Sequence, residues 1–499
     1  MSLKPESLLN SSVYPHSAPE PVELVETHIS WVFLAGHFAY KLKKPIVNDF
    51  LDYSTLEKRH AACVHELNLG KRFAPELYID VVPITIEEGI YRVDGDANPI
   101  DFAVRMRRFS SESLLSKRLE SGVVSEQEIE QLGKSIARFH SSATTANRER
   151  SGGLESICKR ALENFESLKR SPLLTVTSTL LQVEEWTVSQ WPILRDRFLI
   201  REQLGWIKEC HGDMHCNNVV YFRDHWTLFD GIEFNDELSC IDTVSDIAFL
   251  VMDLIERKKN GLAWLMLNAY LEESGDYHGL SVLKWYLVYR AMVRAKVAMM
   301  RAEQVPESDP KHKRELESAI DYLNLAFEFT TTRQPQLWIT HGFSGSGKTH
   351  GSRWAIRELG MIRLRSDVER KRLFHLSHSE IGSHVTPKDR QELYSVSATE
   401  ATYRSLWSLS RELLHGGFSV LVDATFLRQS ERKRFSDLAK SLEMPFRILD
   451  FQNHLSVLEQ RIRDRKSTGI DASDADVEVL HKQIKNHDPL TESEQLFVQ

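Results

Sequence analysis

His211-Gly212-Asp213-Met214-His215-Cys216-Asn217-Asn218 is followed by Asp230 in the short apolar stretch Leu228-Phe229-Asp230-Gly231-Ile232-Glu233-Phe234. An aspartate, an asparagine five positions later and a further carboxylate ending a strand form a compact polar set. Transfer of a phosphoryl group asks little covalent chemistry of a protein; it asks for positioning and for neutralisation of charge around the γ-phosphate. Asp213 is placed to accept or orient the proton of an attacking hydroxyl. Asn218 can reach Mg²⁺ from the same loop, and Asp230 can hold the bridging metal, with Glu233 a second candidate for that position. Cys210, His211, His215 and Cys216 also invite a zinc reading, but four donors inside seven residues do not easily converge on one tetrahedral ion.

Upstream, the residues that complete such a site are present. Ala39 and Lys41 lie two apart, so they share one face of a strand, and Glu66 on the following helix can pair with Lys41 and fix it against the α- and β-phosphates. Around them, His28 to Val47 reads as a β-hairpin turning at Gly36. Thr55 to Phe73 has helical spacing, and Tyr78–Ile86 and Ile100–Met106 read as strands. Beyond Phe109 the chain is mostly helical, most clearly over Ile129–His140 and Lys284–Arg301. Residues 1–27, polar and rich in Ser and Pro, read as a loose lead-in.

A second signature stands at Gly342-Phe343-Ser344-Gly345-Ser346-Gly347-Lys348-Thr349, a complete G-x-x-x-x-G-K-[ST] P-loop. The strand-like Leu337–His341 precedes it and a helical segment follows. Gly342, Gly345 and Gly347 let backbone N–H groups, Ser346 among them, turn inward as an anion nest, and the helix N-terminus adds partial positive charge. Lys348 reaches the β- and γ-phosphates, and Thr349 can bind Mg²⁺. Downstream, Ile362–Arg365, Ser419–Asp423 and Phe446–Phe451 are strand-like and separated by helices, the pattern of a parallel α/β sheet. The break at Thr330–Pro335 divides the chain into residues 28–330 and 336–499. The fold expected is an α+β bilobal domain like that of protein kinases, followed by an α/β P-loop domain with a mainly parallel sheet.

On these residues, 28 to about 325 resemble the aminoglycoside phosphotransferase/choline kinase-like family. His211 to Asn218 carries its HGD-x-H-x-x-N pattern, Leu228 to Phe234 resembles its metal-binding segment, and Asp246 resembles its largely structural D-x-A helix start. Residues 336 to about 486 resemble small P-loop kinases of the polynucleotide kinase, gluconate kinase and chloramphenicol phosphotransferase type. That resemblance implies a role for Asp367 on the acceptor hydroxyl, for Arg370 on substrate or phosphate, and for Asp423 near Mg²⁺. Arg461 and Arg465 resemble lid arginines over the triphosphate, and Asp471 to Gln483 resembles the post-lid segment. As a whole the chain resembles a bacterial family that fuses the two domains. The resemblance implies an ATP- and Mg²⁺-dependent enzyme, bifunctional if both modules act, that phosphorylates a hydroxyl of a small molecule. Two alternatives stand beside it. One module is an ATP-binding or ATP-hydrolysing switch for the other, or the C-terminal module phosphorylates a polynucleotide 5′-hydroxyl, with Arg363, Arg365, Arg370, Lys371 and Arg372 supplying charge.

Bulk properties agree with that class. The 499 residues are 41% hydrophobic and 27% charged, and the formal net charge of −8 gives no general attraction to nucleic acid. Five cysteines, an odd number without framework spacing, suit a reducing cytoplasm. The N-terminus lacks a signal-peptide pattern, and no apolar run approaches the roughly eighteen residues of a membrane span.

Overall fold

The computed structural model describes the chain except residues 1–2, 19, 49–50, 175–176, 332–333, 375–392, 394 and 469–475, and except the side chains of 48 and 465–468. The chain divides into two compact units. One comprises Met1–Glu128, Phe139–Glu163 and Phe198–Asp253; the other comprises Ile129–Arg138, Asn164–Arg197 and Leu254–Gln499.

In the first unit, β1 (Glu23–Glu26), β2 (Ser30–Ala35), β3 (Phe38–Lys43), β4 (Tyr78–Glu87), β5 (Ile90–Val93) and β6 (Asp101–Arg107) form an antiparallel sheet in the order β1-β2-β3-β6-β4-β5. Gly36, at φ +57°, turns the β2–β3 hairpin as its position predicts. Alternation decides which residues go where. Phe33, Ala35, Tyr40 and Leu42 enter one core; Ala39 and Val104 enter another with Cys63 of helix Leu56–Phe73. Lys41 and Lys43 follow Ala39 by even steps, so both turn towards that helix. Thr55 starts the helix by accepting a hydrogen bond from the Lys58 N–H at 3.3 Å. The opposite face of the sheet is covered by the N-terminal segment. Leu8, Val13, Tyr14 and Val22 are buried against Phe33, Tyr40 and Leu42, so the segment is packed rather than loose. These four side chains, with Leu3, Leu9 and Ala18 partly buried around them and short turns at Pro5–Leu9 and Ser11–Val13, cover the face despite the polar composition.

The stretch His211–Asn218 runs into a hairpin of Val219–Phe222 with His225–Leu228, and Asp230 follows it. Helix Thr243–Glu256 is buried along most of its length and lies under the loop.

The second unit contains the helices Asn260–Ser274, Leu280–Gln304 and Pro310–Thr330 together with a four-stranded sheet. Its strands are β7 (Leu337–His341), β8 (Ile362–Arg365), β9 (Val420–Asp423) and β10 (Phe446–Asp450), all parallel, in the order β8-β9-β7-β10. All five β7 residues are buried, as expected of a central parallel strand flanked on both sides. β8 is an edge strand, but it is not bare. Asn268 of helix Asn260–Ser274 accepts from the Arg363 N–H at 2.7 Å and donates to Met361 O at 3.1 Å, while the Tyr277 hydroxyl donates to Arg363 O at 3.2 Å. These side chains satisfy backbone groups that an edge strand would otherwise present to water or to another chain. Among the described residues no helix is long and apolar enough to cross a membrane.

Candidate functional sites

In the first unit, Lys41 Nζ lies 2.7 Å from Glu66 Oε1 and also hydrogen-bonds Asp230; Lys43 Nζ lies 2.6 Å from Glu66 Oε2 and also bonds Glu233. The result is a ladder of two ammonium groups and three carboxylates, buried except at Asp230. At Lys41 and Glu66 burial opposes the charge and the opposite charges outweigh it: Lys41 is held well above its ordinary pKa by Asp230 and Glu66, and Glu66 is held down at about 2 by Lys41 and Lys43. Lys43 has no sequence motif of its own; the signal that finds it is its place two residues after Lys41 on the same strand face.

The ladder separates the two carboxylates that sequence left as alternatives. Glu233, which also accepts from the Tyr53 hydroxyl at 3.2 Å, has 2% of its side chain exposed, whereas Asp230 has 45%. Asp230 is therefore the one that a ligand can reach. It sits at φ +60°, and its N–H donates to the Tyr78 hydroxyl at 3.0 Å. A non-glycine residue held in this left-handed region aims its side chain where regular strand geometry would not.

The loop that carries Asp213 is built on buried carboxylates. His211 N and Gly212 N each donate to Asp246 at 3.0 Å, and Cys216 N donates to Asp253 at 2.8 Å. Gly212, at φ +83°, has no room for a Cβ, which would lie 2.7 Å from Leu238 O. His211 Nδ1 accepts from Asp213 N at 3.3 Å, so its proton is on Nε2, which donates to Phe229 O at 2.8 Å. Burial lowers the His211 pKa, in keeping with this neutral form. His215 Nδ1 likewise accepts from Asn217 N at 3.3 Å. His211 thus has both ring nitrogens committed to backbone and offers none to the zinc alternative, while His215 keeps Nε2, 3.4 Å from Asp213 Oδ2. Asn218 Nδ2 donates to Asp213 O at 3.0 Å and to Asp213 Oδ2 at 3.1 Å. Phe229 joins this cluster to Asp230, since its N–H donates to Asn218 O at 3.0 Å.

In the second unit, β7 runs into Gly342, and helix Lys348–Gly351 starts at the end of the loop. Gly342, Gly345 and Gly347 all have positive φ, at +142°, +82° and +88°. A Cβ at Gly342 would lie 2.5 Å from Phe451 O, and one at Gly345 would lie 2.8 Å from Leu458 O. The loop therefore has the glycine-dependent curvature that turns N–H groups inward, and an anion of phosphate size suits it. Lys348 Nζ donates to Gly342 O at 3.0 Å and to Phe343 O at 2.8 Å, and stands 3.5 Å from Ser346 Oγ. Thr349 Oγ1 donates to Asp423 Oδ2 at 2.6 Å, which brings a hydroxyl and a carboxylate together where Mg²⁺ would need both. Arg461 lies over the loop, with Nη1 3.3 Å from Ser346 O. Arg465 lies one turn further along the same helix, and its side chain is outside the described residues, as are residues 471–475 of the segment Asp471–Gln483. Gln483 is described: it accepts from Ser344 N at 3.0 Å.

Asp367 stands in the first turn of helix Ser366–Leu373, just beyond β8, and lines a cavity of about 1160 Å³ that also contains Lys348, Thr349 and Asp423. Arg370 lines it too, but its guanidinium is anchored by Leu393 O at 2.8 Å and Thr399 Oγ1 at 3.2 Å. Arg363, Arg365 and Lys371 do not form an open basic groove. Arg363 is paired with Glu272 at 2.7 Å, Arg365 stands 3.4 Å from the same carboxylate, and Lys371 is buried.

Residues 337–490 match the family model described as an AAA domain. Over 409 residues, 81% of this chain and 78% of the relative, the chain is 31% identical to the "Uncharacterized protein Rv2004c" of Mycobacterium tuberculosis (strain ATCC 25618 / H37Rv). The chain belongs to this mycobacterial protein's family. Its AAA-domain match covers the P-loop and the parallel sheet, and a six-stranded antiparallel sheet precedes it in the chain. Among solved structures, choline kinase LicA from Streptococcus pneumoniae is 13% identical, covering 60% of this chain and 94% of that one at a TM-score of 0.35. A gluconokinase from Sinorhizobium meliloti 1021 is 17% identical, covering 33% and 81% at a TM-score of 0.22.

Proposed function

We propose that the chain is an ATP- and Mg²⁺-dependent phosphotransferase with two nucleotide-binding modules, residues 28–330 and 336–499, acting on a hydroxyl of a small molecule. The observation that carries this is the convergence of Lys41, Glu66 and Asp230 with Asp213 and Asn218, five residues from four segments, the loop of Asp213 and Asn218 being joined to Asp230 through Phe229. Asp213 takes the proton of the acceptor hydroxyl as that oxygen bonds to the γ-phosphorus. The bond from phosphorus to the β,γ-bridging oxygen breaks, and ADP leaves with its electron pair. Lys41, fixed by Glu66, orients the α- and β-phosphates. In the P-loop module Lys348 and Arg461 hold the triphosphate, and Asp367 faces the acceptor with Arg370 beside it. Mg²⁺, when bound by Asn218 and Asp230 or by Thr349 and Asp423, neutralises charge on the phosphates.

The test is ADP formation by the full chain with Mg-ATP against a panel of hydroxylated small molecules. Asp213→Ala and Lys348→Ala are each expected to remove one acceptor-dependent activity by about 100-fold or more. If Lys348→Ala silences both activities while circular dichroism is unchanged, the P-loop module is a switch for the other. If neither variant lowers ADP formation, the proposal fails.

A further inference from the structure

One peptide group of the P-loop is held at both ends. The Phe343 carbonyl accepts from Lys348 Nζ at 2.8 Å and from Ser346 N at 3.2 Å, while the Ser344 N–H donates to Gln483 Oε1 at 3.0 Å. A peptide group is planar, with its C=O and N–H pointing opposite ways, so fixing one end fixes the other. Gln483 touches the same residue twice, since its Nε2 donates to Ser344 Oγ at 3.0 Å. A backbone N–H can only donate, and that sets the carboxamide with its oxygen on the amide and its nitrogen on the hydroxyl. Ser344 is buried, which shields the pair from water.

Packing brings Gln483 to the loop. On helix Val477–Lys485, the residues Val477, Leu480 and Ile484 form an apolar stripe. The stripe packs with Leu458 and Ile462 of helix Leu455–Thr468 and with Phe343 of the loop. Phe343 also meets the His487 ring edge-on, centroids 5.1 Å apart. His481 and Glu459 join the two helices at 2.8 Å. Helix Leu455–Thr468 lies against Gly345, where a Cβ would stand 2.8 Å from Leu458 O. The two helices therefore rest on the loop together. Ahead of and along the first, Asn453 Nδ2 donates to Ser346 O at 3.0 Å and Arg461 Nη1 stands 3.3 Å from the same oxygen. Those side chains hold a loop carbonyl; Gln483 holds a loop amide.

We infer that Gln483 is a positioning residue for Lys348, acting through the Phe343–Ser344 peptide. This rests on the proposed nucleotide site at Gly342–Thr349. By drawing the Ser344 N–H to its own oxygen, Gln483 aims the Phe343 carbonyl at the Lys348 ammonium. That carbonyl and Gly342 O, at 3.0 Å, set where the ammonium stands beside the anion nest. Were the peptide to turn over, an N–H would face the ammonium and the Phe343 oxygen would face the carboxamide oxygen. Donor would meet donor and acceptor would meet acceptor. Gln483 makes the orientation that serves Lys348 the stable one, and it does so without touching the nucleotide. When it is removed, Lys348 loses a carbonyl partner in part of the population and is placed less often for the β- and γ-phosphates.

The experiment measures binding of a fluorescent ATP analogue and of the matching ADP analogue to the full chain. The component that Lys348→Ala abolishes reports the P-loop site. Gln483→Ala is expected to weaken that component about tenfold for both nucleotides, as when roughly one loop in ten keeps the competent orientation. Hydrogen exchange at the Ser344 amide of the nucleotide-free protein should accelerate in the same variant, with circular dichroism unchanged. Ser344→Ala removes the hydroxyl contact and keeps the amide contact, so it should bind nearly as the parent does. Gln483→Glu keeps an oxygen for the amide and should keep slow exchange at Ser344; it decides the matter if Gln483→Ala does not fold. A lowered melting temperature with unchanged affinity would make Gln483 a structural strut and overturn the inference. So would a loss confined to the ATP analogue, which would mean direct contact with the γ-phosphate. Fast Ser344 exchange in Gln483→Glu, or a loss in Ser344→Ala equal to that in Gln483→Ala, overturns it as well. Absence of any Lys348-dependent binding removes the nucleotide site and the inference with it, while Ser344 exchange still reports whether Gln483 holds the peptide.

Discussion

Glu66 accepts from two lysines, one on each oxygen, at 2.7 and 2.6 Å. The carboxylate is depressed from its ordinary 4.5 to about 2, because Lys41 and Lys43 outweigh its burial. A folded-state pKa below the unfolded one means that the charged form is favoured by folding. Its contribution is therefore present in full above about pH 4.5 and is lost as pH falls through about 2. Glu66→Gln strands part of two buried ammonium charges and should cost about 3–5 kcal/mol at neutral pH, the usual penalty for breaking a buried pair. In urea unfolding, the difference between the two proteins should hold from neutral pH down to pH 5 and close below it; an equal difference at pH 3 and pH 7 would sink the assignment. Nucleotide binding at the first site should weaken as well, because Lys41 loses the partner that fixes it. Lys41 could be read from the sequence because a strand, a helix and a downstream acidic loop all pointed to it. Lys43 could not, because its burial depends on Glu66 and Glu233, the latter 190 residues away.

At the scale of elements, strands and helices were legible where periodicity and punctuation agree. The hairpin at Gly36, the helix after Thr55, and all four strands of the parallel sheet lie within a residue or two of where hydrophobic patterning puts them. The cover on β8 was not legible. Asn268 looks like any asparagine on a helix, and its partners Met361 and Arg363 lie 93 and 95 residues away. The same holds for the N-terminal segment, whose few apolar residues acquire meaning only against the sheet they seal. Asn268→Ala would leave a buried backbone N–H and a C=O without their partner, at a cost of roughly 1–3 kcal/mol. Hydrogen exchange at the Arg363 amide should accelerate more than at residues of β7, the central strand. Unchanged protection at Arg363 would mean that the edge is held by something other than this side chain.

For the whole molecule, the sequence break at Thr330–Pro335 and the match that begins at residue 337 mark where one kind of sequence gives way to another. Compactness follows a different line, because helix Asn260–Ser274 is packed on β8 through Asn268, Glu272 and, just beyond it, Tyr277. The helix could not announce this in sequence, since its apolar residues resemble those of any helix buried within a kinase-like lobe. A fragment of residues 336–499 retains Gly342–Thr349, Asp423 and Arg461, and should therefore still bind an ATP analogue. It lacks the side chains that satisfy β8 and the counter-charge to Arg363, which is buried beside Glu272. An unpaired buried guanidinium and an uncovered strand edge both favour opening or self-association. The fragment should melt below the full chain and aggregate sooner. Thermal melting and light scattering on the two proteins side by side check this. A fragment equal to the full chain in melting temperature and in resistance to aggregation would make the P-loop module self-sufficient and reduce the helices before it to neighbours.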